Sequence, residues 1–260
     1  MTDKAWPYPL WIAHRGAGKL APENTLAAFK LGADHGYRAF ECDVKLSSDE
    51  QPFLMHDVEL DRTTPDQGRA GERSWQELSQ LDAGHWHSSE FVGEPIPSLE
   101  DVARYVQGHD FTLNIEIKPT PGMELRTGQV VGKHVRHLWR DPAQTLPLCS
   151  SFSPQALEGA RETAPEVPRA LLLDQLWVGC AEMALSLQCV ALVVEHKLVD
   201  AAFVTRTHAA GLRLLCYTVN ESDEVNRLLR LHVDGIITDA VDRFSPDANE
   251  FQITRPSALN

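Results

Sequence analysis

The feature that most constrains this chain is a rhythm in which short apolar runs rich in β-branched residues alternate with longer amphipathic stretches. The runs lie at residues 10–13, 39–45, 111–117, 146–152, 169–173, 190–195, 212–219 and 235–238. Helical patterns fill most of the intervals. One covers 24–35 behind Pro22, one runs from the cap Ser98 to Val106, and one covers 125–139. Another opens at Pro154, and the rest cover 180–187, 199–210 (stopped by Gly211) and 222–231. Proline is tolerated in a first helical turn and glycine favours a last one. Strict strand-then-helix alternation implies a parallel sheet. Eight such units within 260 residues predict an α/β fold, a (β/α)8 TIM barrel forming a single domain over 1–260, with an open doubly wound sheet as the alternative.

One region breaks the rhythm. Ser47, Ser48 and Asp49 make a turn, and 52–55 returns as a hairpin strand. Residues 57–97 then run through Gly, Asp, Ser, Arg and Trp with no sustained period. A stretch this long without regular elements is usually functional, and it reads as an insertion after the second strand, over one end of the barrel.

The chain is 43% hydrophobic, enough for a sizeable core, and its net charge is −13. That charge argues against nucleic acid, which needs a basic face, and against stable association with an anionic membrane. It leaves room for a small anionic substrate, because a bound cation reverses the local field. Five cysteines without a C-x-x-C, most within apolar stretches, fit free thiols in a reducing compartment. No signal peptide, membrane span, obvious apolar loop or basic patch is visible, so the expected location is cytoplasmic. The outer face of a barrel is compatible with a homodimer.

A TIM barrel carries its chemistry at the C-terminal ends of its strands. Strand one ends in His14-Arg15-Gly16, strand two carries Glu41 and Asp43, and the hairpin returns to His56-Asp57. Strand three ends in Glu116-Ile117-Lys118. Residues two apart leave the same face of a strand, so Glu41 and Asp43 share one face, as do Glu116 and Lys118. If those faces point inward, three carboxylates converge. An all-oxygen set of anions suits a hard divalent cation, Mg²⁺ or Ca²⁺. A single E-x-D on a strand is more often a solvated pair; acids inside two apolar strands are not easily read that way. His14 and His56 supply an acid and a base. Arg15 offers a planar fork for a phosphate oxygen, and Lys118 offers a second cation. With a divalent ion, these charges sum to about +1, suited to a phosphodiester monoanion. His134 and His137 have helical spacing without an acidic or cysteine partner nearby in sequence and read as an exposed helix face.

The ordered set of short motifs resembles the bacterial cytoplasmic glycerophosphodiester phosphodiesterases from Trp6 to about Asp242. The motifs are His14-Arg15-Gly16, Ala21-Pro22-Glu23-Asn24-Thr25, Glu41-Cys42-Asp43, His56-Asp57, Asn114-Ile115-Glu116-Ile117-Lys118-Pro119, Ser150-Ser151-Phe152, Tyr217-Thr218-Val219-Asn220 and Asp234-Gly235-Ile236-Ile237-Thr238-Asp239. The resemblance implies a TIM barrel with an insertion and hydrolysis of a glycerophosphodiester to an alcohol and sn-glycerol 3-phosphate. It implies Glu41, Asp43 and Glu116 as metal ligands, His14 and His56 as the acid/base pair, and Arg15 and Lys118 as phosphate contacts. Many relatives carry Trp where this chain has Tyr217, which keeps an aromatic wall and adds a hydroxyl. In the similar segment Asp82-Ala83-Gly84-His85-Trp86, Trp86 either lines the glycerol pocket or packs the insertion onto the barrel. For Glu23 and Asn24 two readings stand: helix capping, or a place near the metal or Arg15. Deacylated headgroups such as glycerophosphocholine and glycerophosphoethanolamine are the expected substrates. The alternatives are a lysophospholipase D-like hydrolase and a non-catalytic glycerophosphodiester-binding protein.

Overall fold

Nine strands and eight α-helices alternate in the computed structural model, which describes residues 6–246. The strands are β1 (Trp11–Ala13), β2 (Ala39–Leu46), β3 (Pro52–Leu54), β4 (Thr112–Ile117), β5 (Leu148–Ser151), β6 (Arg169–Leu173), β7 (Ala191–Glu195), β8 (Arg213–Tyr217) and β9 (Gly235–Thr238). Eight of them pair in parallel in the order β1-β9-β8-β7-β6-β5-β4-β2, and β1 pairs with β2 to close the barrel. β3 lies antiparallel on β2, with Val44 opposite Leu54. This is the (β/α)8 barrel that the alternation predicts.

The helices are α1 (Leu26–Asp34), α2 (Trp75–Leu78), α3 (Leu99–Gly108), α4 (Glu124–Leu138), α5 (Pro154–Thr163), α6 (Cys180–Ser186), α7 (Ala201–Ala209) and α8 (Ser222–Arg230). Ser98 caps α3 in a capping box with Asp101, and Pro154 occupies the first turn of α5 behind the cap Ser153. The cap of α1 is Thr25, whose hydroxyl accepts from the Ala28 amide at 3.2 Å, and not Asn24. Asn24 instead takes a left-handed φ of 60°, which Asn tolerates better than most residues. That turn frees its side chain for another task.

Period-two alternation splits the apolar residues into two layers. Phe40, Cys42, Val44, Ile115, Leu171, Val194 and Cys216 point outward and pack with the helices. Ile12, Ala39, Leu148, Leu172, Val193, Leu215 and Ile237 point inward and plug the barrel together with Tyr8. The interior positions beyond this plug, toward the strand C-termini, are polar on β2, β4 and β5: Glu41, Asp43, Asn114 and Ser150 are all buried. The apolar half of the interior is a packed core, and the polar half is a site.

The 57–97 region carries α2, two short 3-10 turns and its own apolar cluster. Leu60 and Leu78 are fully buried there against Phe53 of β3, contributing about 1.5–3 kcal/mol each. No helix among the described residues is long and apolar enough to cross a membrane. One expectation fails. An apolar loop is present, at Leu176-Trp177-Val178 after β6. Three apolar letters beside an element look like its continuation, and only the fold shows them exposed.

Candidate active site

The turn after β1 builds one side of the site. Arg15 and Gly16 take successive φ values of 51° and 100°, a conformation costly for a non-glycine residue and available here because the surroundings fix it. At Gly16 a Cβ would stand 2.7 Å from that of Ala28, so the turn can press against α1 only without a side chain. The Arg15 amide donates to Glu41 Oε2 at 3.1 Å. The Arg15 guanidinium reaches Asp43 Oδ2 (3.2 Å) and Glu23 Oε1 (2.9 Å). Burial works against its charge, but Asp43, Glu23 and Glu41 outweigh burial and raise its pKa.

β2 and β4 supply the centre. Their register sets Asp43 beside Glu116 and Glu41 beside Asn114. Ligand oxygens of Glu41, Asp43 and Glu116 lie within 4.8 Å of one another. Lys118 Nζ ties Glu116 Oε1 at 3.0 Å and stands 3.5 Å from Asp43 Oδ1. Asn24 clamps Asp43 from both sides: its amide donates to Asp43 Oδ2 at 2.8 Å, and its carbonyl accepts from the Asp43 amide at 3.0 Å.

The three carboxyls differ in charge environment. Burial opposes ionisation of Asp43, but Arg15 and Lys118 overcome it and hold Asp43 below its ordinary range. Burial, with Asp43 and Glu116 adding repulsion, pushes Glu41 well up. Burial and Asp43 push Glu116 up to about 7. Glu41 and Glu116 thus resist ionisation, Glu116 even with Lys118 upon it, and buried Asp43 Oδ1 lacks a hydrogen-bond donor. Such a set fits a hard cation, which supplies the missing charge and draws on oxygen donors. Asn114 Oδ1 and Ser150 Oγ, adjoining the set in register, are also buried without a partner.

A histidine flanks the set from each side, and each has an acid on Nδ1. His14 Nδ1 pairs with Asp239 Oδ1 at 2.6 Å, and its Nε2 faces Glu41 Oε2 at 3.8 Å. Asp239 is held in turn by the Asn220 amide at 2.9 Å, while its own amide donates to Asn220 Oδ1. Gly18 packs so closely on the Asp239 backbone that no Cβ fits between them. His56 Nδ1 pairs with Asp57 Oδ1 at 2.6 Å, and Arg62 ties Asp57 to Glu23. Burial outweighs Asp43 and Asp57 and lowers the His56 pKa. An acid on Nδ1 sets the tautomer and leaves Nε2 to handle protons.

His14, Arg15, Glu41, Asp43, His56, Glu116 and Lys118 therefore meet at one end of the barrel. Tyr217 borders them: its hydroxyl donates to the Leu173 carbonyl at 3.1 Å, and its ring meets Phe152 edge-on at 6.0 Å. Trp86 stands on the rim, 38% exposed, with the Arg62 guanidinium 5.8 Å from its ring centre. Glu23 and Asn24 both serve the site, the first on Arg15 and the second on Asp43. His134 and His137, on α4, lie outside this cluster. A cavity of about 1010 Å³ opens beside the centre between His56, Glu116, Lys118 and Phe152.

Sequence reasoning assigned no role to Asp239, Asn220, Arg62 or Lys45. Asp239 and Asn220 lie within motifs of the resemblance, where the sequence shows no partner for either. Lys45 had a signal, since it continues the inward face of Glu41 and Asp43 at the same spacing. Burial and Lys118 push its pKa down to about 8.

Residues 14–243 match the Glycerophosphoryl diester phosphodiesterase family. A glycerophosphodiester phosphodiesterase of Caldanaerobacter subterraneus subsp. tengcongensis is 34% identical over 88% of this chain and 93% of its own length. The structure of an Oleispira antarctica phosphodiesterase in complex with the product sn-glycerol-3-phosphate superposes with a TM-score of 0.86 at 32% identity, covering 91% of this chain and 95% of that one. A glycerophosphodiester phosphodiesterase from Agrobacterium tumefaciens gives a TM-score of 0.76 at 26% identity, over 91% of this chain and 99% of that one.

Proposed function

The chain belongs to the glycerophosphoryl diester phosphodiesterase family, and from that premise we propose that it hydrolyses deacylated phospholipid headgroups to sn-glycerol 3-phosphate and the free alcohol. Glycerophosphocholine and glycerophosphoethanolamine are the intended substrates. The observation that carries the reading is the convergence of Glu41, Asp43 and Glu116 between two histidines, each with an acid on Nδ1. The product complex of the Oleispira antarctica protein supports the glycerol 3-phosphate half.

Glu41, Asp43 and Glu116 would hold a divalent cation, Mg²⁺ or Ca²⁺. When bound, that ion polarises a phosphate oxygen and offsets the charge that develops on it. The protein's own groups do the rest. Arg15 and Lys118 draw the phosphodiester monoanion in and orient it. They are already fixed by Asp43 and Glu116, so little ordering remains to be done at the reaction step. One histidine Nε2 takes a proton from the nucleophile as its oxygen bonds to phosphorus; the nucleophile is water directly, or the glycerol 2-hydroxyl in a first step whose cyclic phosphate water then opens. The other returns a proton to the alkoxide as its bond to phosphorus breaks. Asp239 and Asp57 stabilise whichever imidazolium forms. Tyr217 and Trp86 border the space left for the glycerol and alcohol portions. Five free, buried cysteines support a reducing, cytoplasmic setting.

The test is choline-coupled and glycerol 3-phosphate-coupled assay of glycerophosphocholine with EDTA, with added Mg²⁺ or Ca²⁺, and with Glu41→Ala and His14→Ala. Expected are loss with EDTA, recovery with metal, and loss in both variants. Tight binding of glycerophosphocholine by the metal-loaded protein without turnover would replace this reading with a binding protein.

A further inference from the structure

Lys45 continues the inward face of β2 beyond Glu41 and Asp43, at the same two-residue spacing. It is 3% exposed, yet it lines the cavity of about 1010 Å³ together with His56, Glu116 and Lys118. Val44 pairs with Ile117 across β2 and β4, so one step further along both chains Lys45 stands beside Lys118.

The two ammonium groups are held differently. Lys118 Nζ ties Glu116 Oε1 at 3.0 Å and stands 3.5 Å from Asp43 Oδ1. Lys45 makes neither a hydrogen bond nor an ion pair among the described residues. Lys118 repels it, and Asp43, Glu116 and Asp57 attract it only from a distance. The other acids on the cavity wall are engaged elsewhere. Asp57 pairs with His56 and Arg62, Glu59 lies 3.6 Å from Arg69, and Glu124 accepts from the Gly122 amide at 3.0 Å. A buried ammonium without a partner is costly, so a ligand that carries an anion to it is favoured.

We propose that Lys45 is a specificity-determining residue: the alcohol half of the phosphodiester lies in this cavity, and the Lys45 ammonium selects an alcohol that carries a carboxylate. The proposal rests on the phosphodiesterase reading of the site. In that reading Arg15 and Lys118 take the phosphate, which leaves Lys45 for a second group of the substrate. A buried donor that the right substrate satisfies and the wrong one leaves unpaired discriminates between the two. Glycerophosphoserine and glycerophosphoethanolamine make the cleanest pair. They share the glycerol, the phosphodiester and the ammonium, and they differ by one carboxylate.

The test measures kcat/KM for glycerol 3-phosphate release from each of the two, with the metal-loaded wild type, Lys45→Met and Lys45→Arg. Expected is a wild-type preference of about tenfold for glycerophosphoserine, corresponding to ~1.4 kcal/mol. Lys45→Met should abolish the preference, and Lys45→Arg should keep it, because its guanidinium also donates to a carboxylate. The preference is a ratio within one protein, so a partly folded variant does not distort it, and Lys45→Gln replaces Lys45→Met should that variant not fold. A wild type that turns over both substrates without the preference overturns the proposal and leaves the phosphodiesterase reading intact. A preference that survives in Lys45→Met does the same, and equal losses on both substrates there would make Lys45 a phosphate contact or a structural residue. Turnover of neither substrate by the wild type sinks both readings.

Discussion

Glu116 offers a test that needs no substrate. Its carboxyl, buried and beside Asp43, titrates at about 7 in the folded protein against 4.5 ordinarily. The folded state therefore binds more protons than the unfolded chain over that interval, and unfolding free energy falls as pH rises. The contribution is complete below pH 4.5 and gone above about 7. At ~1.4 kcal/mol per pH unit the interval amounts to about 3 kcal/mol. The side chain is only 12% exposed, so solvent screening removes little of it. For a chain of this size the loss is a fall of about 6–12 °C in Tm. Glu41, raised by burial and the same neighbours, acts in the same direction. His56 acts in the opposite one below 6.5, because burial favours its neutral form. Glu116→Gln keeps the shape and removes this titration together with its repulsion on Glu41, so the wild-type-minus-variant difference reports Glu116 and its coupling to Glu41. Thermal unfolding of both proteins in EDTA, from pH ~4.5 to ~8, should show the wild type losing about 6–12 °C relative to the variant. Saturating Mg²⁺ or Ca²⁺ should abolish the wild-type loss, because a cation stabilises the ionised carboxylates. A difference that stays flat with pH in EDTA would refute the reasoning.

Other perturbations probe the supports of the site. Asp239→Asn removes the acid from His14 Nδ1, and kcat should fall roughly a hundredfold or more with KM and the circular dichroism spectrum little changed. Asn24→Ala breaks two bonds to buried Asp43 and should cost about 2–3 kcal/mol in denaturant unfolding, with weaker Mg²⁺ or Ca²⁺ binding by calorimetry. Arg62→Ala leaves Asp57 facing His56 without a competing cation. The limb of the kcat/KM profile that reports His56, the acid limb if it is the base and the alkaline limb if it is the acid, should then move to higher pH; two unmoved limbs would mean that Asp57 does not govern the titration of His56.

Much of the fold was legible because its periods are physical. Strands buried on both faces read as apolar runs, while helices keep a polar side, so eight alternations announce a closed parallel sheet. The metal-ligand candidates were legible for a related reason. Glu41 and Asp43 interrupt an apolar strand at a spacing that sends both inward, and Glu116 does the same two strands of sequence later. The supports were not legible. Asp239 lies 225 positions from His14, and nothing local announces a pairing that exists only because β1 and β9 lie side by side in the barrel. Asn24 reads equally as a helix cap or as a residue near the site until Thr25 takes the cap. Arg62 sits in a segment without a period, so neither its position nor its partners could be placed.

By itself the sequence determined the local elements, the inward or outward direction of each strand residue, and the chemical types gathered at the strand ends. These depend on backbone geometry and solvation, which act over a few residues. The tertiary structure decided which acid faces which histidine, which carboxyls resist ionisation, and that three apolar residues after β6 are exposed. Those outcomes depend on distances across the closed barrel, where burial strengthens every charge interaction, and they exist only once the strand registers have been set.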